Sequence, residues 1–111
     1  EYGTIRDYLY IDDLCAAMKL LLTSDVGPGS ILNIGSESGM NNIEVLEAVA
    51  ASAGIRRADV QIEFLPSRDF DVAYNVLSSA RLKALGWRPA TPFKHGLDKT
   101  IPWIAEHLRT A

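Results

Sequence analysis

The chain of 111 residues is short of several things, and each shortage excludes a class of protein. It has one cysteine, Cys15, so no internal disulfide can form and the composition suits a reducing cytoplasm. It has no surplus of positive charge: 11 Lys and Arg stand against 14 Asp and Glu, a net −3. Duplex nucleic acid, which selects cationic surfaces, is therefore not an expected partner. No apolar run approaches the roughly 20 residues that span a bilayer. The opening "EYGTIRDY" lacks a basic flank followed by an apolar core, so it does not read as a signal peptide. There is no initiator Met before Glu1, and the first signal arrives at once. The expectation is a C-terminal part of a longer protein.

Familiar catalytic motifs are also incomplete. "GPGSIL" has Gly27 and Gly29 but Leu32 where a dinucleotide loop needs its third glycine. "GSESG" has the outline of a nucleophile elbow with Glu37 at its centre instead of serine. No Walker lysine is present. His95 and His107 read as solvated helix residues, Cys15 as a small buried hydrophobe, and Trp87 and Trp103 as core or interface.

What is present is an ordinary globular composition, 48% apolar and 23% charged, at a length that suits one domain. "TIRDYLYI" alternates like a strand, with Ile5, Leu9 and Ile11 on one face and Arg6, Tyr8 and Tyr10 on the other. Asp12 and Asp13 then open a helix whose stripe is Leu14, Ala17, Met18, Leu21 and Leu22. "GPGS" breaks the chain, and "ILNIGS" reads as a buried strand. Asn41 or Asn42 caps a helix carrying Ile43, Leu46, Val49, Ala50 and Ala53, ended by Gly54. "VQIEFL", 60–65, alternates strictly and predicts a third strand with Val60, Ile62 and Phe64 inward. Ser78 or Ser79 caps a short helix closed by Gly86. Thr91 and Pro92 start a last one, within which Pro102 predicts a kink or a break. The order is α/β: a small mixed sheet with flanking helices.

The triplet Arg-Asp-aromatic occurs twice, at Arg6-Asp7-Tyr8 and Arg68-Asp69-Phe70. An arginine inside a strand is uncommon unless something pairs with it. The planar guanidinium fork suits carboxylate and phosphate. Two such arginines converging would hold a diphosphate, the aromatics would wall a base or sugar, and Asp71 would accept bonds from hydroxyls. The competing expectation is that Arg6–Asp7 and Arg68–Asp71 are ion pairs that only knit loops.

Four stretches, in this order and spacing, resemble one family. "IRDYLYIDDLCAAM" resembles an Arg-Asp-aromatic strand running into an Asp-Leu helix, and "ILNIGSESG" a strand end. "RDFD" resembles an Arg-x-x-Asp loop, and "LKALGWRPATPFKHGLDKTIPWI" a Leu-Gly-Trp-x-Pro segment with its following helix. Together they are similar to the C-terminal segment of the extended short-chain dehydrogenases/reductases, the NAD-dependent epimerase/dehydratase family acting on nucleotide sugars. The resemblance covers nearly the whole chain. It implies a Rossmann-type parent in which residues 1–111 form one sugar-nucleotide-binding segment. Arg6 and Arg68 would contact the diphosphate of a UDP- or dTDP-hexose, Asp71 a ribose or nearby hydroxyl, and Asn75 the hexose. Asp13 matches a recurrent acid read as a helix cap. The family's glycine-rich NAD loop and Tyr-x-x-x-Lys pair are missing: Tyr2, Tyr8, Tyr10 and Tyr74 are followed four residues on by Arg6, Asp12, Leu14 and Ser78. The resemblance thus places NAD, hydride transfer and catalysis in the rest of a parent protein, with a homodimer as its expected state. The branch that fits best is a UDP-hexose 4-epimerase. The alternatives are a nucleotide-sugar 4,6-dehydratase or decarboxylase, or a stand-alone binding module without catalysis.

Overall fold

The computed structural model describes residues 3–66 and 68–108; Glu1 and Tyr2 of the stretches quoted above lie outside the described residues. Its order is β1 (Ile5–Asp7), α1 (Ile11–Thr23), β2 (Gly39–Met40), α2 (Asn42–Ser52), a 3-10 turn at Arg57–Asp59, β3 (Tyr74–Asn75), α3 (Ala80–Ala84) and α4 (Phe93–Leu108). The sheet is small and mixed. β1 lies in the middle, antiparallel to β2 with Arg6 opposite Met40, and parallel to β3 with Arg6 opposite Asn75.

The helices follow local signals. α2 starts with a full capping box, in which Asn41 accepts from the Glu44 N–H and Glu44 from the Asn41 N–H. It ends through Ala53 and the left-handed Gly54. α1 starts on the Tyr10 carbonyl with no side-chain cap, Asp12 and Asp13 in its first turn. α4 runs unbroken through Pro102, so the expected split does not occur. The Ser79 side chain does not cap α3; its hydroxyl turns inward to the backbone N–H and carbonyl of Gly35.

The strands depart from expectation. β1 is three residues, and Ile11 already belongs to α1 and is 58% exposed. Segment 31–36 is not a strand, because the N–H groups of Gly35 and Ser36 go to side-chain acceptors, Ser79 Oγ and Asp7 Oδ1, instead of a ladder. Segment 60–65 is irregular too, with Phe64 and Leu65 exposed. Both edges of β1 are already taken by β2 and β3, which leaves it no ladder there to join. Gly39 is fixed by this crowding: a Cβ there would meet Ile5 at 2.5 Å and Val76 at 2.6 Å.

The core is Ala17 of α1, Leu82 of α3 and Trp87, ringed by Leu9, Leu20, Leu21, Leu32, Ile34 and Leu85. The Trp87 indole donates to the Asp13 carbonyl. The predicted stripe of α1 is only partly buried: Met18 and Leu22 face outward, and Cys15 is exposed, not a buried hydrophobe. The contact with α3 and Trp87 takes Ala17, Leu20 and Leu21, and Met18 and Leu22 lie outside it. The whole is spread out. Its accessible surface is 8449 Å², against roughly 6,100 Å² for a compact monomer of its mass. Its radius of gyration is 16.9 Å, against roughly 13 Å. No helix among the described residues is long and apolar enough to cross a membrane.

Candidate functional site

Successive side chains of a strand leave on opposite faces, so Arg6 and Asp7 part company at once. They do not pair. Arg6 Nη1 donates to the carbonyls of Ile5 at 2.8 Å and Val72 at 2.7 Å. Among the described residues its Nε and Nη2 have no partner, which leaves one full edge of the guanidinium fork for a ligand. Asn75, the register partner of Arg6 on β3, leaves the sheet on the same face and is exposed. Val72 stands one residue beyond the Arg68–Asp71 turn. The structure thus brings Arg6 and Asn75 together on one face of the sheet and ties Arg6 to the base of the loop that carries Arg68 and Asp71.

That loop closes on itself. Arg68 holds Asp71 with two bonds, Nε to Oδ2 at 2.9 Å and Nη2 to Oδ1 at 3.1 Å, and its guanidinium lies 5.2 Å from the Phe70 ring. Of the two ion pairs weighed against a binding role, Arg68–Asp71 is therefore present and Arg6–Asp7 is not.

Asp7 instead gathers the other face. Its Oδ1 accepts from the Ser36 N–H at 2.7 Å and hydroxyl at 2.6 Å, and its Oδ2 from the N–H groups of Glu37 and Leu77, both at 3.1 Å. Sequence reasoning gave this residue no role beyond an ion pair with Arg6. Asp13 was expected to cap α1, but its carboxylate accepts from the Thr91 N–H at 2.9 Å and hydroxyl at 3.3 Å, which ties α1 to the entry of α4. Thr91 is spent there, and α4 starts on the Pro92 carbonyl.

Glu37, the centre of "GSESG", has a left-handed φ of 60°. Its carboxylate accepts from the Ser79 N–H and pairs with Lys83. The Lys83 hydrogen bond, then the Ser79 bond, holds its carboxyl below the ordinary 4.5. Each of its two oxygens is thus engaged by one donor. His95 is exposed, and His107 stacks on the exposed Trp103 at 4.1 Å. An open cleft of about 310 Å³ lies by Tyr8, Ser36, Met40, Thr91 and Phe93, and none of Arg6, Arg68, Asp71 and Asn75 lines it.

The architecture is that of an α/β protein with Rossmann-type relatives. No protein-family model matches the chain. Among curated proteins it is 33% identical over 113 residues to the dTDP-glucose 4,6-dehydratase of Neisseria meningitidis, covering 93% of this chain and 32% of that one. Among solved structures it is similar to the Thermus thermophilus UDP-glucose 4-epimerase in complex with NAD. There the TM-score is 0.77 and the identity 38%, over 88% of this chain and 30% of that one. It also resembles the Thermotoga maritima UDP-glucose 4-epimerase with UDP-glucose, with TM-score 0.84 and identity 27% over 97% of this chain and 34% of that one. The chain thus spans about a third of the length of the relatives it matches. It is homologous to the nucleotide-sugar epimerases and dehydratases, an extended short-chain dehydrogenase/reductase family, and corresponds to their C-terminal region.

Proposed function

We propose that residues 1–111 form the nucleotide-sugar-binding part of an NAD-dependent epimerase, with UDP-hexose as substrate and reversible hydride transfer as the reaction. The observation that carries the reading is Arg6: a partly buried, backbone-anchored guanidinium with a free fork edge suits a phosphate. Arg68 would reach the same diphosphate from the loop on leaving Asp71. Asp71 would then take a ribose hydroxyl, and Asn75, beside Arg6, the hexose.

The residues present do not fit NAD itself. The N-terminus of α1 carries Asp12 and Asp13, and that of α2 is closed by its capping box, so neither offers a pyrophosphate free N–H groups and positive potential. No step of hydride chemistry is assigned to this chain. NAD belongs, in this reading, to a half outside it. That half would also cover the outward face of α1, where Ile11, Cys15, Met18 and Leu22 follow one another at helical spacing and are exposed. The excess accessible surface of the chain supports this reading. The parent would be a cytoplasmic homodimer.

The identity to the Thermus epimerase favours 4-epimerisation. The identity to the Neisseria dehydratase favours a second reading, 4,6-dehydration of a dTDP-hexose. The native gene product, given UDP-glucose and dTDP-glucose with NAD, separates them: a 4-epimer supports the first, and a 4-keto-6-deoxy sugar the second. Arg6→Ala should weaken sugar-nucleotide binding about tenfold or more, the value of one charge-assisted bond. Unchanged affinity for both sugar nucleotides would leave a structural arginine and end both readings.

A further inference from the structure

We infer that Asp7 is a positioning residue for the sugar-nucleotide site: through the sheet it sets the place and direction of Arg6. The inference rests on the reading of Arg6 as a diphosphate ligand.

Asp7 is the neighbour of Arg6 on the central strand and points the other way. Its four hydrogen bonds reach two separate segments. Ser36 and Glu37 lie just before β2. Leu77 lies two residues after Asn75 and ends the stretch that carries β3. One carboxylate therefore fastens both flanking strands to the strand between them, one residue from Arg6. Gly35 permits the approach: a Cβ there would stand 2.6 Å from Asp7 Oδ2 and 2.8 Å from the Leu77 Cβ.

The strands so fastened are two and three residues long, too short to define register by their own ladders. A slip of one residue would send Arg6 to the opposite face. With the register held, Arg6 lies opposite Asn75, and its Nη1 meets the Val72 carbonyl three residues before Asn75. That contact aims the Nε–Nη2 edge. Asp7 thus holds β3 on its far side, and Arg6 reads the position of β3 on its near side.

The chemistry calls for a carboxylate. All four partners are donors, so two acceptor oxygens satisfy them and an amide cannot. Asp7→Asn keeps the shape but turns an NH₂ toward two N–H groups or toward the Ser36 pair.

The test is a double-mutant cycle on the native gene product, with UDP-glucose titrated calorimetrically into wild type, Arg6→Ala, Asp7→Asn and the double variant. Asp7→Asn is expected to weaken binding about tenfold with Arg6 present and less than about twofold with Arg6 removed. A loss from general loosening would be the same in both backgrounds, and that additive result overturns the inference while leaving Arg6 as a ligand. If Arg6→Ala changes nothing, the reading of the site falls and the inference with it. Should Asp7→Asn not fold, Ser36→Ala serves in its place. It removes one hydroxyl donor from Oδ1, and its smaller loss, about threefold, should likewise vanish in the Arg6→Ala background. An equal loss in both backgrounds overturns the inference.

Discussion

The same three letters stand at Arg6-Asp7-Tyr8 and at Arg68-Asp69-Phe70, and the protein uses them in opposite ways. In the first, the side chains go in three directions. Arg6 reaches Val72, Asp7 gathers Ser36, Glu37 and Leu77, and Tyr8 meets Phe93 edge-on at 5.5 Å. Those partners lie 29 to 85 residues away in the chain. In the second, Arg68 folds onto Asp71 three residues on and stands over its own neighbour Phe70, with its side chain 66% exposed. One triplet is a joint between segments and the other is a closed loop. The lesson is that the reach of a residue's partners along the chain, more than its type, separates structure from adaptable surface.

The sharpest way to break this comparison is to remove each anchor and measure unfolding. Asp7→Ala leaves the backbone N–H groups of Ser36, Glu37 and Leu77 unsatisfied at a partly buried point, and leaves the Ser36 hydroxyl only the Ser38 carbonyl. The expected loss is roughly 3 kcal/mol or more, since each unpaired buried donor costs about 1–3 kcal/mol before solvent recovers part of it. Urea unfolding of the native gene product measures it. A loss below about 1 kcal/mol would make the two triplets equivalent.

Arg68→Ala should do the reverse. An exposed pair three residues apart is worth about 0–1 kcal/mol, so stability should hardly move. Affinity for UDP-glucose should fall by ~1.5–3 kcal/mol, the worth of a charge-assisted bond, while NAD binding stays the same. A titration in which sugar-nucleotide affinity is unaltered would assign Arg68 to holding Asp71 alone. The Asp71 bond that Arg68 must surrender places the measured value toward the lower end.

How far the sequence was legible follows the same division. The helices α1, α2 and α4 were readable because their signals are local: Asp12 and Asp13 before an apolar stripe, Asn41 with Glu44, Gly54 past the end. Of the strands only β1 was, and only for three of its expected residues. "ILNIGS" and "VQIEFL" have strand composition, yet the ladder goes to Gly39–Met40 and Tyr74–Asn75, two-residue pieces with no pattern at all. A strand exists only where a partner edge is free, and Ser79 and Asp7 had taken the N–H groups of 35 and 36. Cys15 was misread for a related reason, since periodicity marks an apolar stripe but not how much of it finds a neighbour. Within the site, Arg6 was legible as a charge inside a strand. Asp7 offered only the fact that aspartate is depleted from strands, and Asp13 looked like a cap because its partner, Thr91, lies 78 residues on.

The smallest predicted effect concerns two ion pairs that divide along the same line. Glu37 pairs with Lys83 across 46 residues, whereas Asp98 pairs with Lys94 one helical turn back at 2.8 Å. Both carboxyls are held below their ordinary values, 4.5 for Glu37 and 3.8 for Asp98, chiefly by the lysine hydrogen bond. A lowered folded value means the unfolded chain binds the proton more readily. The stability each contributes is therefore present above its ordinary value and lost as pH falls through the lower, folded one. Glu37→Gln should thus be less stable than wild type at neutral pH, and the gap should close from about pH 4.5 downward. Asp98→Asn should show the same sign, with the gap closing from about pH 3.8 downward, but it should leave the segment around Gly35 untouched. Amide hydrogen exchange at Gly35, Ser36 and Ser79 distinguishes the two, because Glu37 also accepts the Ser79 N–H and sits in a left-handed turn whose N–H is held by Asp7. Faster exchange at these three sites in Glu37→Gln alone would extend the contrast between long-range joints and local closures to the weakest contacts. Equal exchange in both variants, or a stability gap that ignores pH, would confine it to Asp7.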